Sequence, residues 1–296
     1  MTFKTSQIKL IVILIETNFA EEFEMSDSSA AGTALITGAS AGIGAIYADR
    51  LAKRGYDLVL VARNEDRLNA IAKSISEETG RYVHVLPADL SKKSDTAHVE
   101  HILKTDSSIS VLVNNAGFGS VAPLLSADIN RMEEMIGLNV TALTRLTYAA
   151  APAFASRNEG TIINISSIVA IGPEILNGVY GATKAYVLAL TQSLHHELAD
   201  KGVRVQAVLP GATATEFWEI SGMHHSNMPD EMVMRADVMV DAALAGLDQG
   251  EVVTIPPLQS GIDWDNFEAS RKRLSQKFAH STPGARYREK ALTPAI

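Results

Sequence analysis

Tyr180-Gly-Ala-Thr-Lys184 puts a phenol and an ammonium four residues apart, one above the other on a helix face. Thirteen residues before the tyrosine, Ser167 ends the run Asn164-Ile-Ser-Ser. Together these groups suit proton transfer at an oxygen atom. A free tyrosine titrates near pH 10, a neighbouring ammonium favours the phenolate, and a serine hydroxyl can steady a developing alkoxide. Adjacent strand residues point to opposite faces, so only one of Ser166 and Ser167 can serve. Tyr-x-x-x-Lys alone arises often by chance, and its meaning depends on its company.

That company begins with Thr37-Gly38-Ala39-Ser40-Ala41-Gly42-Ile43-Gly44, which follows an apolar run and opens an amphipathic one. Gly38 permits a tight turn, Gly42 a close approach of backbone to a pyrophosphate, and Gly44 close packing of helix on sheet. The free N–H groups of the helix start, aligned with its dipole, complete an anion site. A dinucleotide follows from this, and the next strand distinguishes its kind. An NAD site carries Asp or Glu about 20 residues beyond the glycines to accept from the ribose 2′-hydroxyl. Here the run ends Leu60-Val61-Ala62-Arg63. The carboxylate is missing, and Arg63 can clamp a 2′-phosphate with its planar guanidinium, Ser40 adding a hydroxyl. NADP(H) is therefore expected over NAD(H). The nicotinamide's charge then joins that of Lys184 in favouring phenolate, and Lys184 can also hold the ribose.

Elements that could position these groups are written in the hydrophobic pattern. Apolar runs at 33–37, 58–62, 83–86, 111–113, 161–165, 204–209 and 252–255 alternate with helical patterns near 43–54, 65–79, 92–104, 126–156, 179–201 and 230–248. The runs are continuous rather than alternating, as in a parallel sheet covered on both faces. Seven such strands with right-handed crossovers predict one α/β domain, a doubly wound Rossmann sheet with helices on both faces.

These motifs, with Asn114-Asn115-Ala116-Gly117, Asn139 and Pro210-Gly211 in the same order, resemble the short, single-domain branch of the short-chain dehydrogenase/reductase family over roughly 33–256. The resemblance implies an oxidoreductase moving a hydride between nicotinamide and a carbonyl or secondary alcohol. It makes Tyr180 the acid/base, selects Ser167 over Ser166 to orient substrate, and gives Lys184 an assisting role. Asn139 would hold a water that links Lys184 to solvent. Asp89 and Leu90 would flank the adenine, and Asn115 and Ala116 would line the cofactor floor. Pro210, Gly211, Thr213 and Thr215 would meet the carboxamide. The family's basic residue after strand two matches Arg63; the one that some members carry before the second glycine is replaced by Ala41. A homodimer or homotetramer built on the helices at 126–156 and 179–201 is implied as well. A non-catalytic NADP(H) sensor on the same fold is the alternative, and it would be expected to lose Tyr180 or Lys184. A nucleotide-sugar epimerase would call for a different glycine spacing and a larger C-terminal domain.

Composition narrows the partners. A formal net charge of −8 supplies no basic stripe for nucleic acid. With no cysteine, disulfides and thiolate metal sites are excluded, in keeping with a reducing cytoplasm. His195-His196 point about 100° apart on a helix and form no metal pair, so no metal is expected. The apolar run Leu10–Ile15 is far too short for a membrane span. Residues 1–32 are expected to be a loose N-terminal extension, with Met25 as the natural start. Residues 214–229 form a substrate loop whose Phe217, Trp218 and Met223 favour an apolar carbonyl compound; His224-His225 fall in the same loop. The Met-rich stretch 223–239 reads as core and pocket wall. Residues 257–296 are expected to form a helix near 264–279 and a tail packed on the same domain, anchored by Trp264, Phe267 and Phe278.

Overall fold

The computed structural model describes residues 31–223 and 225–288. The reading of Met25 as the start, and that of His224, lie outside them. The seven expected strands all form: β1 (Thr33–Thr37), β2 (Asp57–Ala62), β3 (Val83–Pro87), β4 (Ile109–Asn114), β5 (Gly160–Ile165), β6 (Val203–Val208) and a short strand, Val253–Thr254. They pair in parallel in the order β3-β2-β1-β4-β5-β6, with Val253–Thr254 at the far edge. The winding reverses between β1 and β4, which opens a crevice at the carboxyl ends of these two strands.

Strand alternation feeds two cores. Ala34, Ile36, Leu58, Leu60, Val111 and Val113 face one side, meeting α1 (Gly42–Lys53) and α2 (Glu65–Thr79) through Tyr47, Leu51, Leu68 and Ile75. Their neighbours Leu35, Val59, Val61 and Leu112 face the other. There they meet α3 (Lys93–Thr105), α5 (Leu143–Arg157) and α6 (Gly178–Leu198) through Val99, Leu103, Leu146, Phe154 and Leu194. This two-sided burial is why the strands read as unbroken apolar runs.

Three stretches depart from the pattern. The expected helix at 126–156 is α4 (Ile129–Ile136) joined to α5 by a π-helical turn, Gly137–Ala142. Such a turn inserts a residue into the ladder and is common at functional sites. The helix expected from 230 begins only at Ala236 and runs to Asp248. Met234–Arg235 instead pairs with Thr213–Ala214 in a two-stranded parallel ribbon, fastening the two ends of the segment that holds the loop expected at 214–229. Between them lies a short helix, α7 (Phe217–Ile220).

The main unit runs through Pro257, and the segment from Leu258 is a compact unit of its own. In that segment a helix spans Gly261–Ser275, with Trp264 and Phe267 ring centroids 5.4 Å apart. Among the described residues no helix is long and apolar enough to cross a membrane.

Phe154 is fully buried and packs against Gly160, where a Cβ would fall 2.4 Å from its ring. Phe154→Ala should cost about 3–5 kcal/mol in urea denaturation, as for other buried aromatics.

Candidate active site

The glycine turn leaves β1 and enters α1 with an open anion seat. Ala41 stands at the N-cap without a side-chain cap, and the first turn of α1 holds no acid. Its N–H groups are therefore left to an external acceptor. Gly42 takes φ +53°, which favours glycine, and a Cβ on Gly44 would fall 2.3 Å from the Gly38 carbonyl oxygen. Ser40 and Ile43 are half-buried on the same turn. The seat fits a dinucleotide pyrophosphate.

The turn is stitched to the end of β4. Thr37 Oγ1 accepts from the backbone N–H groups of Asn115 and Ala116, both at 3.0 Å, and donates to the Val113 carbonyl at 3.2 Å. Asn115 Nδ2 donates to the carbonyls of Thr37 (2.9 Å) and Gly38 (3.2 Å). Asn115 thus shapes the floor by tying two loops together. Leu90 and Ala116 border a small hollow with Leu138 and Ala142. Asp89 accepts from the hydroxyl and N–H of Ser91, which hold its carboxyl below the usual range, Arg63 adding a smaller effect. Arg63 itself is exposed beyond β2 and makes no hydrogen bond or ion pair among the described residues. Its guanidinium is available for an anion.

On the other side of the crevice, α6 carries Tyr180 and Lys184. Asn177 caps this helix, accepting from the N–H groups of Val179 (2.9 Å) and Tyr180 (3.3 Å), while its amide donates to the Ala122 carbonyl. That residue was not singled out from the sequence, although Asn just before a helical apolar pattern is an N-cap signature. Asn139 lies buried in the π-helical turn. Its Nδ2 donates to the Phe118 carbonyl (2.8 Å) and Thr183 Oγ1 (3.2 Å), and its Oδ1 accepts from the Phe118 N–H (3.1 Å). It thereby locks the loop after β4 to α6.

The Ser167 hydroxyl lies near enough to the Tyr180 phenol to favour its phenolate, and it makes long contacts with its own loop, donating to the Pro210 carbonyl and accepting from the Val169 N–H, both at 3.4 Å. Ser166 instead donates to the Lys184 backbone carbonyl at 2.8 Å, which occupies its hydroxyl. The two serines, just beyond β5, thus turn their hydroxyls to different partners. Lys184 Nζ donates to the Ile165 carbonyl (2.9 Å) and lies 5.8 Å from the Tyr180 ring centroid. Burial pushes the Tyr180 phenol up, with the nearby Ser167 hydroxyl opposing it. Burial likewise lowers Lys184 to about 8.

The segment after β6 closes the site. The Pro210 carbonyl accepts from the Ile168 N–H at 3.0 Å. Thr213 Oγ1 donates to the Gly211 carbonyl at 3.2 Å, and Thr215 touches Gly42 of the glycine turn. Phe217 packs on Tyr180 with ring centroids 5.7 Å apart. Trp218 is buried behind it, Nε1 donating to the Thr213 carbonyl at 2.9 Å, so it anchors the loop. Phe118, Leu176, Val179, Met132 and Val169 complete an apolar surround for Tyr180. Their scattered sequence positions gave no periodic signal. His195 and His196 are exposed on α6, and no metal-holding group of three or more His, Cys, Asp or Glu occurs among the described residues.

The family model described as short chain dehydrogenase matches residues 32–224. The chain belongs to the short-chain dehydrogenase family. This short-chain dehydrogenase is 46% identical to one from Sphingobium yanoikuyae solved in complex with NADPH, over 86% of this chain and 100% of that one, with a TM-score of 0.84. It is 43% identical to a bulky-bulky ketone specific alcohol dehydrogenase from Comamonas testosteroni, over 86% and 98%, with a TM-score of 0.80. A very-long-chain 3-oxoacyl-CoA reductase from Anas platyrhynchos is 33% identical over 209 residues, 69% of this chain and 67% of that protein.

Lys184 links the site to stability. Its lowered folded-state value means that the unfolded chain binds its proton more tightly, so the cost of burial is greatest below about pH 8. Lys184→Met should be more stable than wild type at pH 7, by up to about 3 kcal/mol. That gap should narrow as the pH rises from 8 to 10, measured by urea denaturation at each pH.

Proposed function

We propose that the chain is an NADP(H)-dependent carbonyl reductase or alcohol dehydrogenase acting on ketones with bulky apolar substituents. The observation that carries the reading is the buried Tyr180 phenol, packed against the Phe217 ring in an apolar surround with the Ser167 hydroxyl near it. One carbonyl oxygen would meet both hydroxyls. The nicotinamide, when bound, supplies or accepts the hydride. The unpaired Arg63 and the uncapped start of α1 would hold the 2′-phosphate and pyrophosphate respectively. Solved relatives described as NADPH-bound and as bulky-ketone specific support both halves of the reading.

In the reducing direction, Tyr180 donates its proton to the carbonyl oxygen while Ser167 holds that oxygen through its own hydroxyl. A phenol kept protonated by burial is suited to this step. The Lys184 ammonium lies beside the ring face, where it steadies the phenolate left behind and can reach a ribose hydroxyl. Asn139 fixes the turn against which Lys184 rests: a Cβ on Gly117 would lie 2.8 Å from its Oδ1 and 3.8 Å from Lys184 Nζ. Phe217, Phe118 and Leu176 would exclude water and receive the apolar substituents, with Trp218 acting from behind. Self-association across α4–α6 is supported by Tyr148 and Ile136, large apolar side chains left exposed on those elements.

A panel of bulky aryl ketones and charged keto acids, followed by NADPH absorbance, tests the function. Turnover should favour the ketones and fall by about 10²-fold or more in Tyr180→Phe and Ser167→Ala. Ser166→Ala should do much less. Tight NADPH binding without oxidation by any carbonyl would overturn the proposal. Separately, Arg63→Ala should raise the KM for NADPH by about 10–100-fold, the worth of a charged hydrogen-bond pair, and leave that for NADH nearly unchanged.

A further inference from the structure

One ion pair joins the two halves of the crevice. Arg67 stands in the first turn of α2, four residues after Arg63, and its Nη1 donates to Glu216 Oε2 at 2.7 Å, across 149 residues of sequence. Glu216 stands at the head of the substrate loop, between Thr215 and Phe217. On one side of it, Thr215 comes so close to the glycine turn that a Cβ on Gly42 would lie 3.2 Å from its methyl carbon. On the other side, Phe217 rests on Tyr180, and its N–H donates to Thr215 Oγ1 at 3.4 Å. The pair therefore fastens the loop head to the helix that follows the 2′-phosphate seat, and the loop head abuts the turn where the pyrophosphate approaches.

We propose that the Arg67–Glu216 ion pair is a latch that holds the head of the substrate loop over the cofactor groove and sets the rate at which NADP(H) leaves. The proposal rests on the NADP(H) reading above. Both residues act as positioning groups. Glu216 need not touch cofactor or substrate, since its charge keeps Thr215 and Phe217 in place. Both side chains are about half exposed, so the latch is weak enough to open in each turnover.

Stopped-flow release of NADPH, chased with excess NADP⁺, tests this in the full chain. Arg67→Gln and Glu216→Gln should each accelerate release by about two- to five-fold, the range open to an exposed pair. The double variant should be no faster than the faster single, because a latch opened once is open. Unchanged release in Glu216→Gln would overturn the proposal, leaving any effect of Arg67→Gln to direct contact with the cofactor. Multiplying effects in the double variant would overturn it too, since the two residues would then act independently. Wild-type protein that binds no NADPH would overturn the cofactor reading and the latch with it.

Discussion

The geometry of the site descends from one buried hydroxyl. Thr37 Oγ1, at the carboxyl end of β1, takes two backbone N–H groups from the loop after β4 and gives its proton to Val113. Such a bond contributes only about 0.5–1.5 kcal/mol of net stability, but its position matters more than its strength. It joins the two strands between which the winding reverses. From there the connection runs through the loop to Phe118, through Asn139 to Thr183, and from Thr183 to the Tyr180 carbonyl. Cofactor turn and phenol, on opposite walls of the crevice, are thus held in register by short polar links between rigid elements.

The same crevice shows what such an arrangement costs. Lys184 is nearly sealed from solvent, and the described residues give it one carbonyl and the face of an aromatic ring rather than a carboxylate. An ammonium in that setting opposes folding. A carboxylate partner would relieve the strain, but it would also neutralise the charge that a phenolate needs nearby. The site keeps its cation short of a counter-ion, and the two packed cores on either side of the sheet carry the penalty.

Much of the fold was legible because burial on both faces leaves a plain signature. Leu58–Ala62 and Thr161–Ile165 could hardly be anything but interior strands. The glycine turn and the placing of Tyr180 and Lys184 on one helix were readable because each is set by its immediate sequence neighbours. What escaped depends on distant partners. Thr213–Ala214 and Met234–Arg235 are strands only because each finds the other, and two residues carry no period. The π-helical turn at Gly137–Ala142 is held through Asn139 by Phe118 and Thr183, neither of them a sequence neighbour. Phe217 and Trp218 look alike in sequence. One faces the phenol and the other spends its indole N–H on the loop's own backbone.

The ribbon formed by Thr213–Ala214 and Met234–Arg235 has a consequence for how this scaffold can diversify. Everything from Thr215 to Val233 is closed off at its base, so its entrance and exit sit side by side whatever lies between them. Insertions or exchanges inside that enclosure need not disturb β6, Pro210 or the helix beginning at Ala236. The ends of the segment are thus fixed to each other by backbone pairing alone, while its middle is held by side chains, through Phe217 on Tyr180 and Glu216 on Arg67.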